Sequence, residues 1–583
     1  MALAPSIRSA RSYNESIATS TSRNGSVSIL SESGTSPIGR SITDVLIEDV
    51  LLLILARIDE LYDGGLISRL DILSLAKSSK CFYISALPLI YRTIIFDCHI
   101  NKAIYEKSWA CCSSLAKRPH LAALVRTCII KDSYDFWDGI DHFPKQWKAV
   151  IIPALTNMVN LRELRWQKIS FTPTLWKLIC SMERLESLHL QQCSLRTPLT
   201  RKQKKRGDVV EISCPRSLVN LTLTDINMRH GDNEVALDLI DGLLMSNRAI
   251  SLGVNKPIFW LHIQDHIVDP SRLKRLCILD AGSELTISAE LVSNVLKQTV
   301  ELTELMLYIH NDTLITVMQE LPKDALPKLT VFSGNPGVGR ALVPGRPVHT
   351  VCANAVPPNI PIGPLMFLPD PGLDLSAYID FLGSLCLSTA RVVHFDMLLP
   401  DFETLSYELP IMQRLPDLLP NLRVLAVHGP YNGAVNNNKL TEAVGMYIMG
   451  RLSHLEDFSF HVNYVRYRTT PGLNLKWQHE QIMQWSAHCP TLSVVQISSV
   501  IQWRRSVGQW QPALVGQDAW TRLTEGVQWL LSSHKDLTEN DWHGTLQGWL
   551  GDRRWKMRDT AKEPAVLRTL HAAVQRVSLR RVG

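Results

Sequence analysis

A chain of 583 residues exceeds the ~100–200 residues of one ordinary core, so several domains follow one another or one repetitive element grows along an axis. The apolar share of 45% is that of a folded protein, and 61 basic against 55 acidic residues leave +6 over the whole chain. That balance implies no general nucleic-acid surface. The longest uninterrupted apolar run, Val50 to Ala56, falls far short of the ~20 residues a membrane span needs, so no membrane partner is expected.

The 12 cysteines stand singly or in uninformative places such as Cys111–Cys112, and no CxxC pair or zinc-finger spacing occurs. Cys128, Cys193 and Cys277 fall in apolar strand-like runs, where a free cysteine acts as a small hydrophobe. Reduced, buried thiols in a cytoplasmic or nuclear protein are the expectation. Residues 1–40 are rich in Ser, Thr, Arg and Gly and cannot bury enough surface to offset chain entropy, so a disordered tail is expected. No apolar segment follows the initiating Met, which argues against a secretory signal. Arg8, Arg11, Arg23 and Arg40 against Glu15 and Glu32 loosely match a transit peptide, a composition that flexible Ser-rich tails share.

Order is expected from Ser41. Ser41-Ile42-Thr43-Asp44 fits the S-x-x-D/E pattern of a helix start. The helix that follows, Asp44 to Ile58, is apolar almost all round: Leu46, Val50, Leu51, Leu53, Ile54, Leu55 and Ile58. So wide an apolar surface must be covered on more than one side, partly by its own domain and partly by a partner. After an acidic break at Asp59–Gly65 come two further apolar stretches, Leu70-Asp71-Ile72-Leu73-Ser74-Leu75-Ala76-Lys77-Ser78-Ser79-Lys80-Cys81-Phe82 and Ser85-Ala86-Leu87-Pro88-Leu89-Ile90-Tyr91-Arg92-Thr93-Ile94-Ile95-Phe96.

This succession resembles the F-box, particularly its fungal form, in which a LxxLxxxSKxF helix is followed by ALPLxYRTIxF. The family usually opens with Leu-Pro; here Leu46-Ile47-Glu48-Asp49 stands in that place. The resemblance implies a three-helix module over 41–97 that docks, through a mostly aliphatic face, on the Skp-type adaptor of a cullin–RING ubiquitin ligase. By position, Leu46, Val50, Ile54, Leu73 and Leu75 are the candidates for that face. The same residues would also serve as the core of a small domain.

From about Leu124 one pattern recurs: a short strand bearing L-x-x-L-x-L, a turn, then an amphipathic helix. Leu185, Leu188, Leu190, Cys193 and Leu195 fill every fixed position of the leucine-rich consensus L-x-x-L-x-L-x-x-N/C-x-L. Looser copies start at Leu161, Leu218, Leu273, Leu302, Leu422, Leu455 and Leu492, mostly roughly 24 to 55 residues apart, with none clear between Leu302 and Leu422. Helices are expected over Thr174–Met182, Glu290–Leu302, Leu440–Leu452 and Lys476–His488. No such unit buries its apolar face alone, so neighbours stack and the strands form a parallel sheet. The concave face then presents Arg165, His189, Thr222, Met306, Ala426, Ser459 and Gln496, a varied set suited to reading a protein and not to tracking charge. The region is similar to the irregular leucine-rich repeats that stand behind fungal F-boxes.

Few segments carry the marks of chemistry. Gly334-Asn335-Pro336-Gly337-Val338-Gly339-Arg340-Ala341 approaches a phosphate-cradling loop, but Arg340 and Ala341 stand where its Lys and Ser/Thr belong. His262 and His266 are four apart in a strand-like run and lack the glutamate of a metalloprotease helix. The basic run Arg201–Arg206 reads as a solvated loop, with a nuclear-import signal as the second reading. Seven tryptophans after Ile501, with helical stretches at Ala519–Ser532 and Pro564–Leu579, suit an end cap.

The expected fold class is therefore α/β: a disordered tail over 1–40, a short all-helical F-box-like module over 41–97, an irregular leucine-rich-repeat solenoid with a parallel sheet over 98–500 (broken near 353–371), and a Trp-rich helical cap over 501–583. The expected function is that of a substrate receptor in a Skp–cullin–F-box ubiquitin ligase, with the Skp-type adaptor, the cullin scaffold and a target protein as partners. The alternative is a ligase-independent scaffold whose F-box is purely structural. No catalytic residue, cofactor or metal is expected, and the chain is not expected to be an enzyme.

Overall fold

The computed structural model describes residues 72–514, apart from 74–75, 78–79, 98–101, 132–144, 168–172, 194–216, 225–249, 255–269, 280–287, 309–311, 354–374, 399–408, 430–436, 463–474, 498–500 and 507. The tail 1–40, the helix at 44–58, the basic run 201–206, the pair His262 and His266, and the helical stretches after 515 lie outside the described residues. Two compact units divide at residue 169.

In the first unit, Ile72 and Ala76 are one helical turn apart and both buried, and they meet Ala86 in a small core edged by Tyr83, Leu89 and Ile90. Helix α1 (Lys80–Arg92) runs without a linker into strand β1 (Thr93–Asp97). The stretch expected to be all helical thus ends in a strand. Thr93, Ile94 and Ile95 are β-branched and Phe96 is aromatic, the residue types that sit best on a pleated surface. Strand β1 pairs in parallel with β2 (Thr127–Lys131), and β2 with β3 (Glu163–Gln167), with Ile94, Cys128 and Leu164 in register. Helix α2 (Lys102–Lys117), the single-turn α3 (Pro119–Ala122) and α4 (Lys145–Asn157) connect the strands. Trp147 of α4 is fully buried, edge-on to Phe96, Tyr105 and Trp109 at centroid distances of 6.2, 5.8 and 5.6 Å. Asn157 Nδ2 donates to the carbonyls of Leu115 and Ala116 and so caps the end of α2.

The second unit repeats this plan. Its strands are β4 (Ser187–Gln191), β5 (Asn220–Thr224), β6 (Ser251–Val254), β7 (Arg275–Leu279), β8 (Glu304–Tyr308), β9 (Val331–Gly334), β10 (Thr350–Ala353), β11 (His394–Leu398), β12 (Val424–Gly429), β13 (Asp457–Val462), β14 (Val494–Gln496), β15 (Ile501–Ser506) and β16 (Gln509–Leu514). Each pairs with the next, in parallel from β4 to β14 and antiparallel beyond. Ahead of most strands, two successive amides converge on one carbonyl of the preceding repeat: Thr330 and Val331 on Thr303, Val393 and His394 on His349's carbonyl, Arg423 and Val424 on Val393. Side-chain hydroxyls of Thr303, Thr330 and Ser493 add a further bond to the same carbonyls at some steps. Each repeat therefore satisfies backbone groups that its neighbour exposes.

Helices α5 (Pro173–Cys180), α6 (Ala289–Gln298), α7 (Asp312–Gln319), α8 (Pro336–Leu342), α9 (Leu375–Leu385), α10 (Pro410–Leu418), α11 (Asn437–Ile448) and α12 (Leu475–His488) follow, with α6 to α12 packed successively on one another. Four of them stand within a few residues of the expected spans. Strands β9, β10 and β11 occupy the interval in which the leucine pattern shows no copy. Their register carries across residues 354–374: Thr350 pairs with His394 and Val351 with Phe395, so the sheet is not interrupted between β10 and β11.

The glycine-rich segment at 334–341 is an ordinary connection from β9 into α8. Asn335 caps the helix by accepting from the Gly337 amide at 2.8 Å. A Cβ at Gly334 would strike the carbonyl oxygen of Leu307, and one at Gly339 would lie 2.7 Å from Phe381 and 2.9 Å from Phe332. Gly334 thus lets β9 lie close against β8, and Gly339 lets α8 lie close against β9 and α9. Gly339→Val is accordingly expected to cost about 2–3 kcal/mol through overpacking. Urea denaturation showing no loss would contradict this packing.

Residues 501–514, expected within a helical cap, form the antiparallel hairpin β15–β16. Ile501-Gln502-Trp503-Arg504 alternates apolar and polar with period two, which is strand patterning. Ile501 and Trp503 are fully buried, and the Trp503 indole donates to Gln478 Oε1 of α12 at 2.8 Å.

Candidate recognition face

Alternation along each strand sends one set of side chains to the helices and the other to the opposite face. Leu305, Phe332, Val351, Phe395, Leu425, Phe458 and Val495 are in register and buried. Phe395 meets Phe381 of α9, and Phe458 meets Trp485 of α12, so these residues pack under the helices.

The second face carries, in register from β4 to β14, His189, Thr222, Gly253, Cys277, Met306, Ser333, Cys352, Asp396, Ala426, Ser459 and Gln496. In the first unit Arg165 holds the same strand position, beside Ile129. Six of the seven residues expected on the recognition face are in the β4–β14 row, and Arg165 takes the corresponding strand position in the first unit. Ser333, Cys352 and Asp396 were not legible, because the three strands that bear them lack the leucines that mark the others. The signal was the bare alternation Val-Phe-Ser, Val-Cys-Ala and His-Phe-Asp-Met.

The polar groups of this face bond to one another across strands. The Tyr308 and Ser333 hydroxyls are 2.5 Å apart, and Asp396 Oδ1 lies 2.9 Å from His428 Nε2. Arg275 pairs with Glu304 across β7 and β8, and Arg165 with Glu163 along β3. Burial pushes the thiols of Cys277 and Cys352 up to about 12, with Asp396 adding to the effect at Cys352. A thiol held that high is protonated at neutral pH and is no nucleophile. Burial also lowers the imidazole of His394, against the opposing pull of Asp396.

Asp457, at the first face position of β13, is pushed up to about 6 by burial, against the opposing charge of Arg504. The folded state therefore holds a proton that the unfolded chain has released between about pH 4 and pH 6, and stability falls as pH rises through that window. Asp457→Asn removes the penalty. The variant is expected to be more stable than the parent by about 2 kcal/mol at pH 7.5, with the difference closing near pH 4. Equal denaturation midpoints at pH 7.5 would contradict this.

Of the five candidates for an adaptor-docking face, only Leu73 is within the described residues. It is helical and half-buried, beside the buried Ile72. Leu46, Val50, Ile54 and Leu75 lie outside them. Among the described residues no group of three or more His, Cys, Asp or Glu side chains could hold a metal ion, and no helix is long and apolar enough to cross a membrane.

A parallel sheet of short strands, many bearing leucine on the buried line, with successive helices packed on one another from α6 to α12, defines a leucine-rich-repeat-like solenoid. No family model matches the chain, and no curated protein matches it. Solved structures similar to it include the crystal structure of the Rad7 and Elc1 complex in yeast, at 13% identity, covering 85% of this chain and 93% of that chain with a TM-score of 0.33. Another is the TLR13–ssRNA13 complex, at 14% identity, covering 66% of this chain and 41% of that chain with a TM-score of 0.24.

Proposed function

We propose that the chain is a substrate receptor of a Skp–cullin–F-box ubiquitin ligase, holding the adaptor through residues 41–97 and a target protein through the second face of the sheet. The observation that carries the reading is the environment of Leu73 in the F-box-like stretch Leu70–Phe96. Ile72, Ala76 and Ala86 form the local core, while Leu73 is left half-buried, as an aliphatic residue on a docking face would be. The direct passage from α1 into β1 supports it further, since an adaptor held by this segment would be tied to the first strand without a flexible linker. The contribution to ubiquitin transfer is proximity: other subunits supply the chemistry, in the cytoplasm or nucleus.

The test is the affinity of full-length protein for purified Skp-type adaptor. Leu73→Asp places a charge in an apolar interface and is expected to weaken binding about tenfold or more, with the circular dichroism spectrum unchanged. Affinity unaltered by the substitution would contradict this docking face. Failure of the parent protein to bind would favour the ligase-independent scaffold.

A further inference from the structure

The face positions of β9 to β13 differ from the rest of the sheet in charge. Val331 and Ser333, Thr350 and Cys352, His394 and Asp396, Val424, Ala426 and His428, and Asp457 and Ser459 include two aspartates and, among the described residues, no lysine or arginine. On β7 and β8 the acid Glu304 is paired with Arg275, whereas the basic neighbours of the two aspartates are His428 at Asp396 and, from β15, Arg504 at Asp457. Asp396 is only 8% exposed, beside His428, and its cross-strand neighbours in the row are the small, uncharged Cys352 and Ala426.

A buried carboxylate costs desolvation, and a well-packed apolar residue usually serves a fold as well or better. Asp457 is held at a similar disadvantage two strands away, where burial works against its charge. Two strand spacings, with the two-residue offset of Asp457 from the row of Asp396, make about 12 Å, the span of about three to four residues of extended peptide.

Resting on the receptor reading above, we propose that the second face of β9 to β13 binds a basic segment of the target, with one lysine or arginine at Asp396 and another, about three to four residues away, at Asp457. The small side chains of Cys352, Ala426 and Ser459 let that segment approach the floor of the sheet. Charge complementarity decides the occupant: a basic peptide gains the carboxylate of Asp396, beside His428, and shares that of Asp457 with Arg504 of β15.

The test uses immobilised full-length protein and a random-peptide display library, followed by fluorescence anisotropy of the synthesised winners. Winners are expected to carry two basic residues about three to four apart. They should lose affinity about tenfold in Asp396→Asn, which keeps the shape and an acceptor for His428, and about tenfold in Asp457→Asn, although that variant is the more stable protein. Because Ala426 pairs with Asp396 across β11 and β12, adding Ala426→Asp to Asp396→Asn moves the carboxylate by one strand and should recover part of the loss. A purely structural Asp396 would give no recovery.

Winners without basic residues, or with affinities unchanged in both variants, overturn the proposal. If such winners are still displaced by Ser459→Arg, the face remains a recognition surface and only its basic specificity fails. An empty selection overturns the proposal as well, whereas adaptor affinity bears on the ligase reading alone.

Discussion

Replacing Arg346 with leucine is expected to destabilise the protein by about 3–5 kcal/mol in chemical denaturation. Arg346 is 2% exposed, and its guanidinium donates to the carbonyls of Ala325, Leu342 and Pro322 at 2.9, 2.5 and 3.0 Å. Its own carbonyl accepts from the Thr389 amide and the Ser388 hydroxyl. One side chain thus closes the end of α8, anchors the turn before it, and sits on the backbone that receives the next repeat. Leucine fills much of the space but leaves the carbonyls of Ala325 and Leu342 without this donor, while that of Pro322 keeps the Ala325 amide; each loss costs about 1–3 kcal/mol when buried, less what relaxation recovers. Arg346→Lys should recover only part of the loss, since an ammonium cannot reproduce the planar fork. A leucine variant as stable as the parent would show that water or neighbouring amides satisfy these carbonyls without the guanidinium.

Trp503→Ala is expected to cost at least as much, about 4–5 kcal/mol. The indole is fully buried between β15 and α12, beside the His479 ring, and its N–H is bonded to Gln478, which is itself 0% exposed. Truncation leaves a large cavity under the last strands and an unsatisfied amide oxygen, two penalties that add. Trp503→Phe retains most of the volume and loses only the hydrogen bond, so about 1–2 kcal/mol is expected from it. Because repeats couple mainly to their neighbours, hydrogen exchange in the alanine variant should rise first in β13 to β16, with β4 to β8 little changed. Uniform acceleration across the sheet would mean that the unit unfolds as one cooperative body.

The parallel sheet was legible at most strands where leucine marks the buried line, although β6, which buries Leu252, escaped. Leu188 and Leu190, Leu221 and Leu223, and Leu305 and Leu307 are buried as the consensus requires. Strands β9 to β11 escaped because Phe332, Val351, Phe395 and Met397 fill that line with other apolar shapes, which the fold accepts equally well and a leucine template does not. The strand at Thr93–Asp97 was hidden for a different reason. A family resemblance placed it in a helical module, while its own β-branched residues pointed to a sheet. At the C-terminal end, tryptophan content suggested a cap, but only the period-two alternation of Ile501 and Trp503 identifies a hairpin. The glycine loop at 334–341 shows the reverse case: a phosphate-binding pattern whose glycines answer to Phe332, Phe381 and the Leu307 carbonyl.

The recognition face was legible by register wherever the strand was, since the residue between two inward leucines must point the other way. What the sequence could not supply was cross-strand company. Asp396 and His428 are far apart in sequence and meet only because β11 and β12 are neighbours, with His428 two residues along from Ala426, the direct partner of Asp396. The same holds for Tyr308 and Ser333. Charge on this face therefore emerges from pairing between repeats and not from any single segment.

The most direct test of the central claim is size-exclusion chromatography of the full-length protein mixed with purified Skp-type adaptor and cullin scaffold. The receptor reading predicts one co-eluting complex with the three chains in equal proportion, which Leu73→Asp disperses into free receptor and an adaptor–cullin pair. Separate elution of the unaltered chain would contradict that reading and leave a leucine-rich scaffold whose F-box-like segment serves only the fold.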